Sequence, residues 1–115
     1  MTWLIVGVAG LAGVLARYGL GVWVQSIWTI AAINIAGSFL LGVLVTLGGH
    51  LSEEVRDGLG IGFLGGFTTF STLTVQTVLE ADGGRPEVAA AYLAVSVAGG
   101  LAAAIAGYVL GRALA

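Results

Sequence analysis

The chain has 115 residues, 58% of them hydrophobic, with mean hydropathy +1.06, 20 glycines, one proline and no cysteine. Four arginines and six acidic residues carry all the charge, 9% of the chain against the ~25% typical of soluble domains. These numbers exclude a soluble globular fold, a disordered chain, disulfides, thiolate metal sites and thiol catalysis, and a net charge of −2 without a basic patch gives no basis for a nucleic-acid partner. What remains is an all-α integral membrane protein, one small domain over residues 1–115.

The uncharged runs set the spans, because a hydrocarbon core of ~30 Å takes about 20 helical residues. A first span is expected over 3–20. The N-terminus has neither a basic region nor a small-residue cleavage site, so this span reads as mature protein rather than a signal peptide. A glycine-containing linker over 21–27 leads to a second span over 28–49. Glu53, Glu54, Arg56 and Asp57 mark a charged loop near 50–57, ahead of a third span over 58–79. Asp82-Gly83-Gly84-Arg85-Pro86 reads as a turn that places proline in the first turn of a fourth span over 88–112. Trp3, Trp23 and Trp28 fall near span ends, as interfacial aromatics do.

Small residues recur at four-residue spacing: Ala9 and Gly13, Ser38 and Gly42, Gly58, Gly62 and Gly66, then Gly99, Ala103, Gly107 and Gly111. Such stripes let helices approach closely in lipid. Four short spans make a thin bundle, so some stripes are expected to face a second subunit and others to pack within the chain. With both termini on one side, Arg56 and Arg112 lie opposite Arg17 and Arg85, a tie of two against two. The positive-inside rule then has no bias to act on, which points to dual topology and an antiparallel dimer.

No Asp, Glu or Lys lies deep in an expected span. Proton-coupled exporters of similar size need an intramembrane carboxylate, so that class is disfavoured. The polar residues inside the spans are neutral: Asn34 in the second, Gln76 in the third, Tyr92 and Ser96 four apart on one face of the fourth. Gly65-Gly66-Phe67-Thr68-Thr69-Phe70-Ser71-Thr72 is poor helix material in the middle of a span. A helix interrupted there frees backbone groups at membrane depth, where they are tolerated only when buried in protein or lining a wet cavity. Freed carbonyls suit a cation, whereas amide N–H groups, hydroxyls and the positive ring edge of Phe70 suit an anion. For a single Ser or Thr the alternative is a bond back to the carbonyl four residues earlier. Gly60-Ile61-Gly62-Phe63-Leu64-Gly65 fits a dinucleotide-binding pattern but has no strand–helix–strand context.

Gly13 through Arg17-Tyr18, Asn34 with Gly37-Ser38-Phe39-Leu40-Leu41-Gly42, and the Gly65–Thr72 run together resemble the CrcB/Fluc fluoride channel family over essentially the whole chain. The resemblance implies a passive fluoride channel of the prokaryotic plasma membrane, third helix broken mid-membrane, assembled as an antiparallel dual-topology dimer around one structural sodium ion. It implies an anion pathway of Asn34, Phe70, Ser71, Thr72, Gln76, Tyr92 and Ser96, with Arg17 at a vestibule. It also implies that backbone carbonyls of Gly65 and Thr68 hold the sodium.

One position departs from the family pattern: Leu73 stands where a second phenylalanine is usual. Leu73 is accordingly expected to reduce conduction in a homodimer, or to mark a chain that works as a heterodimer with a related chain. Neutral donors and a narrow pore would strip fluoride of water without holding it too tightly, and no chemistry is catalysed. A membrane scaffold whose glycines serve packing alone, and a sodium- or proton-coupled transporter, are the competing readings.

Overall fold

The computed structural model describes residues 1–115 and is entirely helical apart from turns. Helix α1 runs Thr2–Trp23 and α2 runs Ile27–Leu47, followed by a single 3-10 turn, Gly48–His50. The third long segment is composite. It contains α3 (Glu53–Asp57), a π-helical stretch Gly58–Leu64, α4 (Gly65–Phe67) and α5 (Phe70–Asp82). Helix α6 closes the chain at Pro86–Leu114. Four helical segments are long and apolar enough to cross a membrane: Thr2–Trp23, Ile27–His50, Glu53–Asp82 and Pro86–Leu114. The longest dimension of the molecule is 48 Å, close to the ~40–45 Å of a bilayer with its headgroups.

The helices extend further than the charge pattern indicates, and capping explains why. The linker expected over 21–27 shrinks to Val24–Ser26, because Ser26 caps α2 by accepting from the Trp28 N–H at 3.2 Å. The charged stretch near 50–57 is not a loop beyond Ser52. Ser52 Oγ accepts from the Val55 N–H at 3.2 Å, and Glu53 and Glu54 occupy the first turn, where acidic side chains suit the helix dipole. Pro86 opens α6, and Gly84 supplies the positive φ of 81° that the preceding turn requires. In that turn Arg85 Nε donates to Glu80 Oε2, and the bond and charge of Glu80 hold the guanidinium pKa above its ordinary value.

Packing divides the chain into two helix pairs that share the third segment. α1 lies along the π-helical stretch and α4; α2 lies along α6. Beyond Phe67 the third segment changes partners, and α5 packs on α6. The small-residue stripes meet inside the chain. A Cβ at Gly13 would overlap the Phe63 carbonyl oxygen, and one at Gly66 would overlap the Gly10 carbonyl oxygen. Gly42 and Gly107 stand in the same relation to the Ala104 and Phe39 carbonyl oxygens across the α2–α6 seam. Close backbone contact through glycine is how these helices associate where lipid provides no hydrophobic drive.

Only 16 of 115 residues are buried, so most of the apolar surface faces outward to lipid or to another chain. The buried centre is small: Ala31, Leu73 and Tyr92, with Ile27 against them. Trp3 is 93% exposed, as an interfacial aromatic should be. Trp28 does more, since its ring meets that of Tyr92 edge-on at 5.6 Å and 87°.

Candidate functional site

The helical path lapses at two residues. α4 ends at Phe67, Thr68 is extended at φ −91° and ψ 155°, and Thr69 is extended at φ −152° and ψ 118°. α5 then starts afresh with Thr69 as its N-cap, whose Oγ1 accepts from the Thr72 N–H at 3.3 Å. Two adjacent glycines followed by hydroxyl residues favour this, because glycine weakens the first helix and threonine caps the second.

The backbone groups freed at the lapse are taken up by side chains. The Asn34 amide brackets Thr69: Nδ2 donates to the Thr69 carbonyl at 3.0 Å, and Oδ1 accepts the Thr69 N–H at 2.8 Å. One side chain thereby does what a neighbouring strand would do. Ser38 Oγ donates to the Asn34 carbonyl at 2.7 Å, and Thr68 Oγ1 donates to the Leu64 carbonyl at 2.8 Å. Arg17 Nε, from α1, donates to the Gly66 carbonyl at 3.2 Å.

The Gly65 and Thr68 carbonyls are among those that lose their helical partners. The Thr69 N–H, four residues after Gly65, goes to Asn34, and the Thr72 N–H, four residues after Thr68, goes to the Thr69 hydroxyl. The oxygens of Gly65 and Thr68 are the type of ligand that a hard cation takes, and no cluster of His, Cys, Asp or Glu competes for that role.

A groove of about 500 Å³ opens beside the lapse, with Asn34, Ser38, Thr68, Thr69, Phe70 and Ser96 on its walls and no charged residue among them. Gly65 and Leu73 also line it. Ser96 is 4% exposed and its buried Oγ has no partner, an unpaired hydroxyl in the groove wall. Phe70 is 73% exposed and presents its ring outward.

Of the residues singled out from sequence, Asn34, Phe70, Ser96, Gly65 and Thr68 meet in this groove. Arg17, Ser71, Thr72, Gln76 and Tyr92 do not line it. Ser71 and Thr72 are drawn into the cap of α5, with their hydroxyls 3.4 and 3.1 Å from Thr69 Oγ1. Gln76 and Tyr92 bond each other, the phenol donating to Gln76 Oε1. Thr74 and Thr77 bond back to the Ser71 and Leu73 carbonyls, the local alternative for an isolated hydroxyl. Leu73 is 5% exposed and packs on Ala31 and Tyr92, so it is a core residue as well as part of the groove wall.

Sequence reasoning missed the pairing of Asn34 with Thr69, the π-helical stretch and the contact of Arg17 with Gly66. The π-helical stretch had one signal, glycine at 58, 60 and 62. The other two join residues 35 and 49 positions apart, for which one sequence has no signal.

These features define a class: a small multi-pass membrane protein of four helices, with an uncharged hydrogen-bonding groove at a backbone interruption. Comparison with known proteins narrows it. Residues 4–108 match the profile described as CrcB-like protein, Camphor Resistance (CrcB). A protein of Thermus thermophilus named Fluoride-specific ion channel FluC is 43% identical, the match covering 97% of this chain and 94% of that protein. One of Moorella thermoacetica named Fluoride-specific ion channel FluC 2 is 41% identical over 99% of both chains, and one of Pseudomonas fluorescens named Fluoride-specific ion channel FluC is 43% identical over 89% and 90%. The chain belongs to the CrcB family. Four apolar helices and bacterial relatives place it in the prokaryotic inner membrane.

Proposed function

We propose that this chain is a passive, fluoride-selective ion channel that lets fluoride escape from the cytoplasm. It is not an enzyme, since ion passage makes and breaks no covalent bond. The carrying observation is the uncharged groove at the interruption of the third span, read together with the names its relatives bear. Fluoride is small and strongly hydrated, so a pore must replace its water with donors. The unpartnered Ser96 hydroxyl and the second N–H of the Asn34 amide are neutral donors at the groove. The edge of the exposed Phe70 ring adds partial positive charge. Neutral groups can bind an anion and still release it, which conduction requires. In the same reading the anion pathway would continue past Ser71, Thr72 and the Gln76–Tyr92 pair, as the family resemblance implies.

The interruption at Thr68–Thr69 falls halfway along Glu53–Asp82, which supports a third helix broken at mid-membrane. The carbonyls of Gly65 and Thr68 would hold a structural sodium ion, whose charge would lock the two half-helices together. One chain offers two such oxygens, short of a cation's usual complement. A second copy related by a twofold axis in the membrane plane would double the number. The tied arginine count supports insertion in both orientations, hence an antiparallel dual-topology dimer. The burial of Leu73 against Tyr92 supports a homodimer in which this residue is a packing spacer, the heterodimer with a related chain being the alternative.

Substituting Phe70→Ile keeps apolar bulk and removes the ring edge. Fluoride efflux from liposomes, followed by electrode, is expected to fall about tenfold or more, while the protein stays folded because Phe70 is exposed. Wild-type efflux in Phe70→Ile would show that the ring edge is not part of the conduction route.

A further inference from the structure

The lapse in the third span leaves the Gly65, Gly66 and Thr68 carbonyls, among others, short of helical donors. Gly65 and Thr68 line the groove, and their carbonyls are candidate cation ligands. The Gly66 carbonyl is taken by Arg17, whose Nε donates to it across 49 positions of sequence. The backbones here are in direct contact. A Cβ at Gly13, one turn before Arg17, would stand 2.9 Å from the Phe67 nitrogen, and one at Gly66 would stand 3.2 Å from the Val14 nitrogen. α1 is therefore a rigid base against which the end of α4 is pinned. Arg17 uses its Nε for this, leaving the terminal nitrogens of the guanidinium out of the bond.

We propose that Arg17 is a positioning residue: its Nε–H holds the Gly66 carbonyl and so fixes the end of α4, the turn that sets Gly65, Thr68 and the Asn34–Thr69 bracket beside the groove. The donor at the Nε position is what matters, not the positive charge. This role rests on the channel reading for its consequence in flux, but the anchoring itself does not depend on which ion passes.

Two substitutions separate donor from charge. Arg17→Gln places an amide N–H the same number of bonds from the backbone as Nε, without the charge. Arg17→Met keeps the length and has neither. In liposomes, the maximal rate of fluoride efflux should fall about tenfold or more in Arg17→Met, as for loss of one hydrogen bond from a charged donor. Arg17→Gln should restore most of it, and the fluoride concentration giving half-maximal efflux should stay the same in both. An electrostatic role predicts the reverse: both variants fall together, half-maximal efflux shifts to higher fluoride, and the loss shrinks as salt is raised. That pattern would overturn the proposal.

Amide hydrogen exchange over residues 65–70 gives a readout independent of conduction. It should quicken in Arg17→Met and remain near wild type in Arg17→Gln. If wild-type protein passes no fluoride, the channel reading fails, and exchange alone still decides the anchoring. Should Arg17→Met not be recovered folded, Arg17→Gln decides by itself. Wild-type exchange in that variant supports the donor role, and a loosened 65–70 segment overturns it.

Discussion

Gly107→Ala is expected to destabilise the protein by ~2–3 kcal/mol, the range for forcing one methyl into a packed seam. The added Cβ would overlap the Phe39 carbonyl oxygen and stand 3.1 Å from the Val43 nitrogen. Both belong to the backbone of α2, so no side-chain rotation relieves the clash, and α2 and α6 must separate. That pair forms the most extensive helix contact in the chain, and α5 leans on the same α6. Any shift therefore reaches the groove, where Asn34 on α2 and Ser96 on α6 face each other's neighbourhood. Thermal unfolding in detergent, with recovery of the monodisperse species, measures the effect. Gly7→Ala is the control, because a Cβ there meets nothing within 4 Å. Equal midpoints for the two variants would show that the α2–α6 seam is looser than its geometry requires.

Asn34→Ala is expected to abolish most fluoride efflux. The substitution removes both bonds of the bracket and leaves the Thr69 N–H and carbonyl unpaired beside the groove. At ~1–1.5 kcal/mol for each lost bond, the ordered arrangement weakens by ~2–3 kcal/mol, roughly thirty- to hundredfold in its population. The free second N–H of the amide is lost with it, so one donor also leaves the anion route. Flux from liposomes at matched protein density is the measurement, with circular dichroism confirming retained helix. A wild-type rate in Asn34→Ala would show that neither the bracket nor the donor is needed for passage.

How much of this was legible beforehand differs by level. The number and order of spans followed from where ten charged residues fall in 115, since burying charge in lipid is costly, and from the length of the uncharged 18–52 run, which Gly19, Gly21, Gln25 and Ser26 divide. The ends of the spans were less legible, since Ser26 and Ser52 extend helices into stretches that charge alone assigns to loops. The interruption near Thr68 was signalled by Gly65-Gly66 and the hydroxyl run, a local conflict with helix formation. The partners that hold it were not, because Asn34 and Arg17 come from other helices. Glycine stripes were visible, but spacing does not reveal which helix they meet, and here they meet within the chain. Leu73 illustrates the same limit. Its position in the family pattern suggests a missing ring on the anion route, and packing with Ala31 and Tyr92 adds a core role that the pattern does not show.

Fluoride efflux from liposomes containing this chain alone, read by electrode beside a parallel chloride measurement, tests the channel most directly. Rapid loss of fluoride with chloride retained is the expected result, running down its gradient without any imposed sodium or proton gradient. Folded, monodisperse protein that releases neither ion, or both at similar rates, would contradict a fluoride-selective channel formed by this chain.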